Sequence, residues 1–147
     1  MRKQIYITKP DMHRLEQLVE NSLMPTDSRM DTLERELERA IVVDPEKISR
    51  NVVTMNSRVH IRDLDRDSEL VVTIVFPFES NVDQNRISVL APLGMALLGS
   101  RVGEGVRFEA PGGPRRVKIL GIEYQPEAAA RDRLLSSKEF RNIASAA

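Results

Sequence analysis

Cysteine and tryptophan are missing from this chain altogether. The first absence excludes disulfide staples and thiolate metal sites, and it is compatible with a reducing compartment. Histidine occurs only as His13 and His60, in different segments and without spaced acidic partners, so both read as structural residues and no histidine-based metal site or acid–base pair is expected. Two tyrosines and four phenylalanines leave too few rings to interleave with the scattered arginines, which argues against a stacking platform for single-stranded nucleic acid. Neither sign of charge is in excess, with 22 basic against 22 acidic residues, so no global field draws the chain to nucleic acid or to an anionic membrane. No apolar run approaches the ~20 residues of a membrane span. The stretch Met1 to Thr8 carries basic residues without the apolar core of a signal peptide, and a cytoplasmic location is expected.

What is present is an ordinary globular composition in 147 residues, enough for one domain with an appendage or for two small units. Gln4 to Thr8 suits a short extended lead-in. Thr8-Lys9-Pro10-Asp11 then opens a helix with a threonine cap, an early proline and an acid in the first turn. Met12, Leu15, Leu18 and Val19 follow at helical spacing, and Pro25-Thr26-Asp27 turns the chain. A second helix restarts at Asp27 or Ser28, with Ser28-x-x-Asp31 as a capping box. Met30, Leu33, Leu37 and Ala40 or Ile41 form its seam, and Asp44-Pro45 ends it. Two amphipathic helices of roughly 14 residues around a short polar loop predict an antiparallel coiled-coil hairpin about 20 Å long.

From Asn51 the period shifts to two. Val59 and Ile61 alternate with polar neighbours, Asp63 to Ser68 is an acidic turn, and Glu69 to Phe76 is a β-branched strand that Pro77 ends. Arg86 to Glu109 reads as a short strand, a proline-opened apolar helix, a glycine-rich turn and another strand. Pro111 to Pro114 is a tight turn, and Arg115 to Tyr124 is the last strand. The expected class is α+β: a helical hairpin over residues 1–46, a mostly antiparallel sheet domain with one short helix over 47–126, and an alanine-rich tail over 127–147, either a marginal helix or mobile.

Chemistry is scarce. Asp63, Asp65 and Asp67 have the start of a calcium loop, but Ser68 stands where glycine is needed and the bidentate acid is missing, so a solvated turn is expected. The glycines of Gly99 to Gly105 and Gly112-Gly113 lack the helix start and the lysine–serine pair of a phosphate loop. No motif marks an activated nucleophile. The helix after Pro92, with Leu93, Met95, Ala96, Leu97 and Leu98, is apolar on nearly every side, so it is buried or meets a partner.

Taken together, Ile87-Ser88-Val89-x-Ala91-Pro92-x-Gly94-x-Ala96-Leu97-Leu98-Gly99, then Pro111-Gly112-Gly113, then Ile122-Glu123-Tyr124, all behind a helical hairpin, resemble the GreA/GreB transcription elongation factor family. Val52 to Val59 and Tyr124 to Ala129 are similar in particular to its branch called regulators of nucleoside diphosphate kinase. The resemblance implies a short N-terminal coiled coil and an FKBP-like C-terminal domain. It implies RNA polymerase as partner, gripped at the rim of its secondary channel by the segment here carrying Ser88, Leu90, Ala91, Pro92, Leu93, Gly94 and Met95. The family places polar residues just before the proline; Leu90 and Ala91 make the expected contact more apolar. In the family a long arm carries two tip acids to the catalytic metal. Here the tip is Pro25, Thr26, Asp27 and Asp31, with no packed acidic pair, and an arm of about 20 Å stops short. The expectation is a channel competitor that does not stimulate transcript cleavage. It has no catalytic residue, metal or cofactor, and no direct contact with nucleic acid or membrane. Two alternatives stand beside it. One is control of nucleoside diphosphate kinase, by contact or indirectly. The other is a prolyl isomerase, whose pocket would need Phe76, Phe78, Phe108 and Tyr124 to converge.

Overall fold

The computed structural model describes residues 4–22 and 28–146. Strand β1 (Tyr6–Thr8) leads into α1 (Lys9–Glu20), which starts as its residues dictate: the Thr8 hydroxyl accepts from the Asp11 amide at 3.3 Å, and Pro10 sits in the first turn. Helix α2 (Ser28–Arg39) follows and packs against α1. Each helix has 12 residues, so each is about 18 Å long. The tip residues Pro25, Thr26 and Asp27 lie outside the described residues, and Asp31 is exposed in the first turn of α2.

Helix α2 ends at Arg39, short of the seam's expected last residue, Ala40 or Ile41, and of the Asp44-Pro45 stop. Ile41-Val42-Val43 forms β2 (Ile41–Val43), pairing in parallel with β1 from Tyr6↔Ile41 to Thr8↔Val43. Three consecutive β-branched residues with a strand waiting at the chain's start favour the ladder over another helical turn. The helices therefore spring from a two-stranded base.

The larger sheet holds five strands in the order β5-β4-β3-β7-β6. Its members are β3 (Arg58–Asp63), β4 (Ser68–Val75), β5 (Arg86–Ser88), β6 (Gly105–Ala110) and β7 (Gly113–Tyr124). All pairings are antiparallel except β4 with β5, which is parallel because a loop with two short 3-10 turns, Pro77–Glu79 and Val82–Gln84, returns the chain to the same end. Pro111-Gly112 closes the β6–β7 hairpin. In the β3–β4 turn each acid faces an arginine: Asp63 with Arg115, Asp65 with Arg116 at 3.2 Å, and Asp67 with Arg62. Asp63 also accepts from the amides of Asp65 and Arg66. That turn is already saturated without a cation.

Helix α3 (Pro92–Leu97) lies after β5, and α4 (Pro126–Ala146) closes the chain as one helix of 21 residues. Residues 51–57 do not open the period-two segment that their sequence suggested, and with residues 44–50 they form no strand. They thread irregularly through the interior, with Ile48, Val52, Val53 and Met55 buried, and the Val53 amide donates to the Ser100 carbonyl. One apolar cluster runs through the molecule. Met12, Leu15, Leu33 and Leu37 of the helices join Val59, Ile61, Val72, Ile74, Val117 and Ile119 of the sheet, with Leu90 and Leu97 between.

Candidate docking site

The segment from Arg86 to Gly99 is built on three local constraints. Its strand is held by β4, and the Val89 amide continues the ladder to the Val75 carbonyl at 2.8 Å. Ser88 then turns the chain, accepting from the Leu90 amide on its hydroxyl and from the Ala91 amide on its carbonyl, both at 3.0 Å. Pro92, in the first turn of α3, starts the helix with its fixed φ and no orphan N–H. Gly94 is required by contact: a Cβ there would stand 2.1 Å from the Ser88 carbonyl oxygen. Gly99 combines φ +78° with a position where a Cβ would meet Ile5 at 2.6 Å. Its carbonyl accepts from the Tyr6 amide, and Arg101 lies over the Tyr6 ring at 4.6 Å. The glycine turn thus ties the segment to the two-stranded base of the helices.

Exposure divides the segment. Leu90 (4% exposed) and Gly94 are buried, Ser88, Ala91, Leu93 and Met95 are half-buried, and Pro92 is exposed. Leu90 is a septum between two clefts. The first, of about 730 Å³, lies between α2 and the α3–β6 side and takes Pro92, Met95 and Val106 on one wall, Thr32, Glu36 and Arg39 on the other. The second, of about 680 Å³, lies between the helices and the β4–β5 loop, with Leu18, Met30, Phe76 and Phe78. Phe78 is 85% exposed and stacks on Phe76 with ring centroids 6.1 Å apart; Arg14 lies 5.6 Å from the Phe76 ring centre. The four aromatics do not converge. Phe76 and Phe78 line the second cleft, whereas Phe108 lies on β6 and Tyr124, at the end of β7, sits beneath Arg58 at 6.0 Å. This arrangement offers no aromatic cage for a proline ring.

Two acids, Asp11 buried and Glu127 half-buried, went unread in the sequence as anything but a helix opener and a tail residue. Asp11 (2% exposed) accepts from the Met55 amide at 3.2 Å and from Arg14 at 2.5 Å. Burial pushes its carboxyl above the ordinary 3.8, against the pull of the Met55 amide and Arg14. Glu127, raised above 4.5 chiefly by burial, accepts from the Thr54 hydroxyl at 2.7 Å. Gln125 donates to the carbonyls of Ser49 and Val52 and accepts from the Ala128 amide. These bonds fasten α1, the 44–57 segment and the root of α4 together. Partners 44 and 73 residues apart leave no spacing signal in the chain. Among the described residues no group of histidine, aspartate or glutamate is placed to hold a metal ion, and no helix is long and apolar enough to cross a membrane.

With this geometry in view, the chain matches two family models: Transcription elongation factor, GreA/GreB, C-term over residues 48–124, and Rnk N-terminus over residues 3–43. It is 41% identical over 129 residues to the Regulator of nucleoside diphosphate kinase of Escherichia coli K12, covering 87% of this chain and 95% of that one. Transcription elongation factor GreA of Thermodesulfovibrio yellowstonii is 35% identical over 99 residues, 67% of this chain and 63% of the GreA chain. Among solved structures, a prokaryotic transcription elongation factor GreA/GreB from Nitrosomonas europaea superposes with a TM-score of 0.69 at 42% identity, covering 84% of this chain and all of that one. The chain therefore belongs to the GreA/GreB transcription elongation factor family, in the branch with an Rnk-type N-terminus.

Proposed function

We propose that this protein is a transcription regulator that binds RNA polymerase at the rim of the secondary channel. It does so through the edge formed by Ser88, Leu90, Ala91, Pro92, Leu93, Gly94 and Met95, and competes there with longer-armed relatives without stimulating transcript cleavage. In this reading the helices are a short coiled-coil hairpin and the sheet is an FKBP-like domain that grips. The observation that carries it is length: α1 and α2 have 12 residues each and are about 18 Å long, and their inner faces are spent in the common core. An arm of that reach fits the entrance of a channel better than its catalytic centre.

The gripping edge is apolar and narrow. Pro92 offers the exposed surface, Ala91, Leu93 and Met95 flank it, and buried Leu90 and Gly94 hold its shape. Pro92→Glu adds a charge where a partner would have to desolvate it, while an acid at the helix start is compatible with the fold. The expected result is a loss of polymerase affinity of about tenfold, near 1.4 kcal/mol, at unchanged melting temperature. Competition binding to core polymerase against a labelled GreA measures it; equal affinity for the variant would remove this edge from the interface. A second reading takes the 41%-identical relative's name at its word, with nucleoside diphosphate kinase as a direct partner. A pull-down offering kinase and polymerase side by side separates the two.

A further inference from the structure

Beyond its root, α4 carries an apolar stripe with nothing against it among the described residues. Glu127, Arg131 and Asp132 fasten the first two turns, to Thr54, to the Pro45 carbonyl and to Arg50 respectively. After them Leu134 and Leu135 are each 58% exposed. At 3.6 residues per turn, Leu134, Lys138 and Arg141 share one side of the helix, and Leu135 lies at its edge, with Asp132 and Glu139 beyond it at three and four residues' spacing from Leu135. Lys138 and Arg141 are exposed and have no ion-pair partner among the described residues. The stripe is a leucine ridge edged by cations on its Leu134 side.

Its complement lies on the N-terminal helices. Glu16 and Glu20 of α1 and Glu34 and Glu38 of α2 ring a hollow of about 270 Å³ floored by Val19 and Leu37. All four carboxylates are exposed, and among the described residues no cation stands against any of them. Each helix thus carries like charges one turn apart facing the same space, an arrangement that costs a few tenths of a kcal/mol per pair when left uncompensated. We propose that the occupant of this hollow is α4 of a second copy of the chain, with Leu134 and Leu135 on the Val19–Leu37 floor and Lys138 and Arg141 against the glutamates.

Each copy carries both ridge and hollow, so a two-fold pair makes the contact twice and closes. Reach is sufficient: the roughly 14 residues after Asp132 extend about 21 Å, several times the single turn over which the hollow runs. A formal net charge of zero means that no overall repulsion opposes self-association. The family matches end at residues 43 and 124, so α4 lies outside both while the hollow lies within the first.

Sedimentation velocity on the full chain, from about 1 μM to about 1 mM, tests it. A dimer is expected that weakens with added salt, because its rim is ionic. Lys138→Glu with Arg141→Glu reverses the ridge, and Glu20→Lys with Glu38→Lys reverses the hollow. Each variant alone is expected to self-associate about tenfold more weakly, with circular dichroism and melting temperature unchanged, since all four positions are exposed. Mixed one to one, the two variants match at both contacts, and a heterodimer at least as tight as the parent dimer is expected. A monomer throughout the range overturns the proposal and assigns ridge and hollow to other macromolecules. Dimerisation indifferent to either reversal, or a mixture no tighter than its components, overturns it equally.

Discussion

Gly94 has its α3 backbone pressed against the strand that precedes it. Adding a Cβ 2.1 Å from the Ser88 carbonyl oxygen leaves neither backbone room to relax, so Gly94→Ala is expected to cost about 3 kcal/mol in a urea melt. Gly121 in β7 has nothing within 4 Å of its Cβ position, and Gly121→Ala should stay within about 0.5 kcal/mol. Asp11 and Glu127 set a pH dependence of definite sign. Their folded carboxyls are raised above 3.8 and 4.5, so as pH climbs from those values the unfolded chain ionises first and stability falls until the folded groups ionise too. Asp44 and Asp65 are lowered, by Lys9 and by the Arg116 amide and guanidinium. Their contribution is present above 3.8 and is lost as pH falls below it. Melting temperature followed from about pH 4 to about pH 7 should therefore decline in the parent, and decline less in the Asp11→Asn, Glu127→Gln variant. An identical slope in both would mean that these two acids do not carry the effect.

At the scale of elements, the helix stripes were legible because apolar residues at three and four residue steps have one physical use in a soluble chain. Met12, Leu15, Leu33 and Leu37 are buried as that spacing requires, and Val59 and Ile61 alternate inward on β3. What escaped was pairing over distance. Ile41-Val42-Val43 continues an amphipathic pattern and only becomes a strand because β1 is there to receive it. Residues 44–57 read as a linker followed by a strand, yet their amides are bonded to Asp11, Ser100 and their own turns. A helix and sheet that share one core should also unfold together. Leu33→Ala is expected to cost 2–5 kcal/mol, roughly, and to lower one cooperative transition seen alike by circular dichroism and by fluorescence of a dye on the sheet. Separate transitions would mean that the helical pair is an independent unit.

Across the whole molecule, the segment proposed to dock was recognisable as a family motif from Ala91-Pro92-x-Gly94, but its orientation was not. The periodicity of an all-round apolar helix carries no direction, and only the fold shows that Leu90 turns inward to divide two clefts while Pro92 faces out. Likewise the length of the arm was countable in sequence, whereas its seating against the sheet depends on Tyr6, Gly99 and the Asp11–Met55 bond. The proposed competitor role rests on those two features jointly, a grip retained and a reach withheld. The most direct test is transcript cleavage in backtracked elongation complexes. This protein is titrated first alone and then against a fixed amount of a long-armed GreA. The account expects no cleavage above background alone, and progressive suppression of the GreA-stimulated cleavage as this protein rises. Cleavage by this protein alone, or undiminished GreA-stimulated cleavage at its highest concentration, would contradict it.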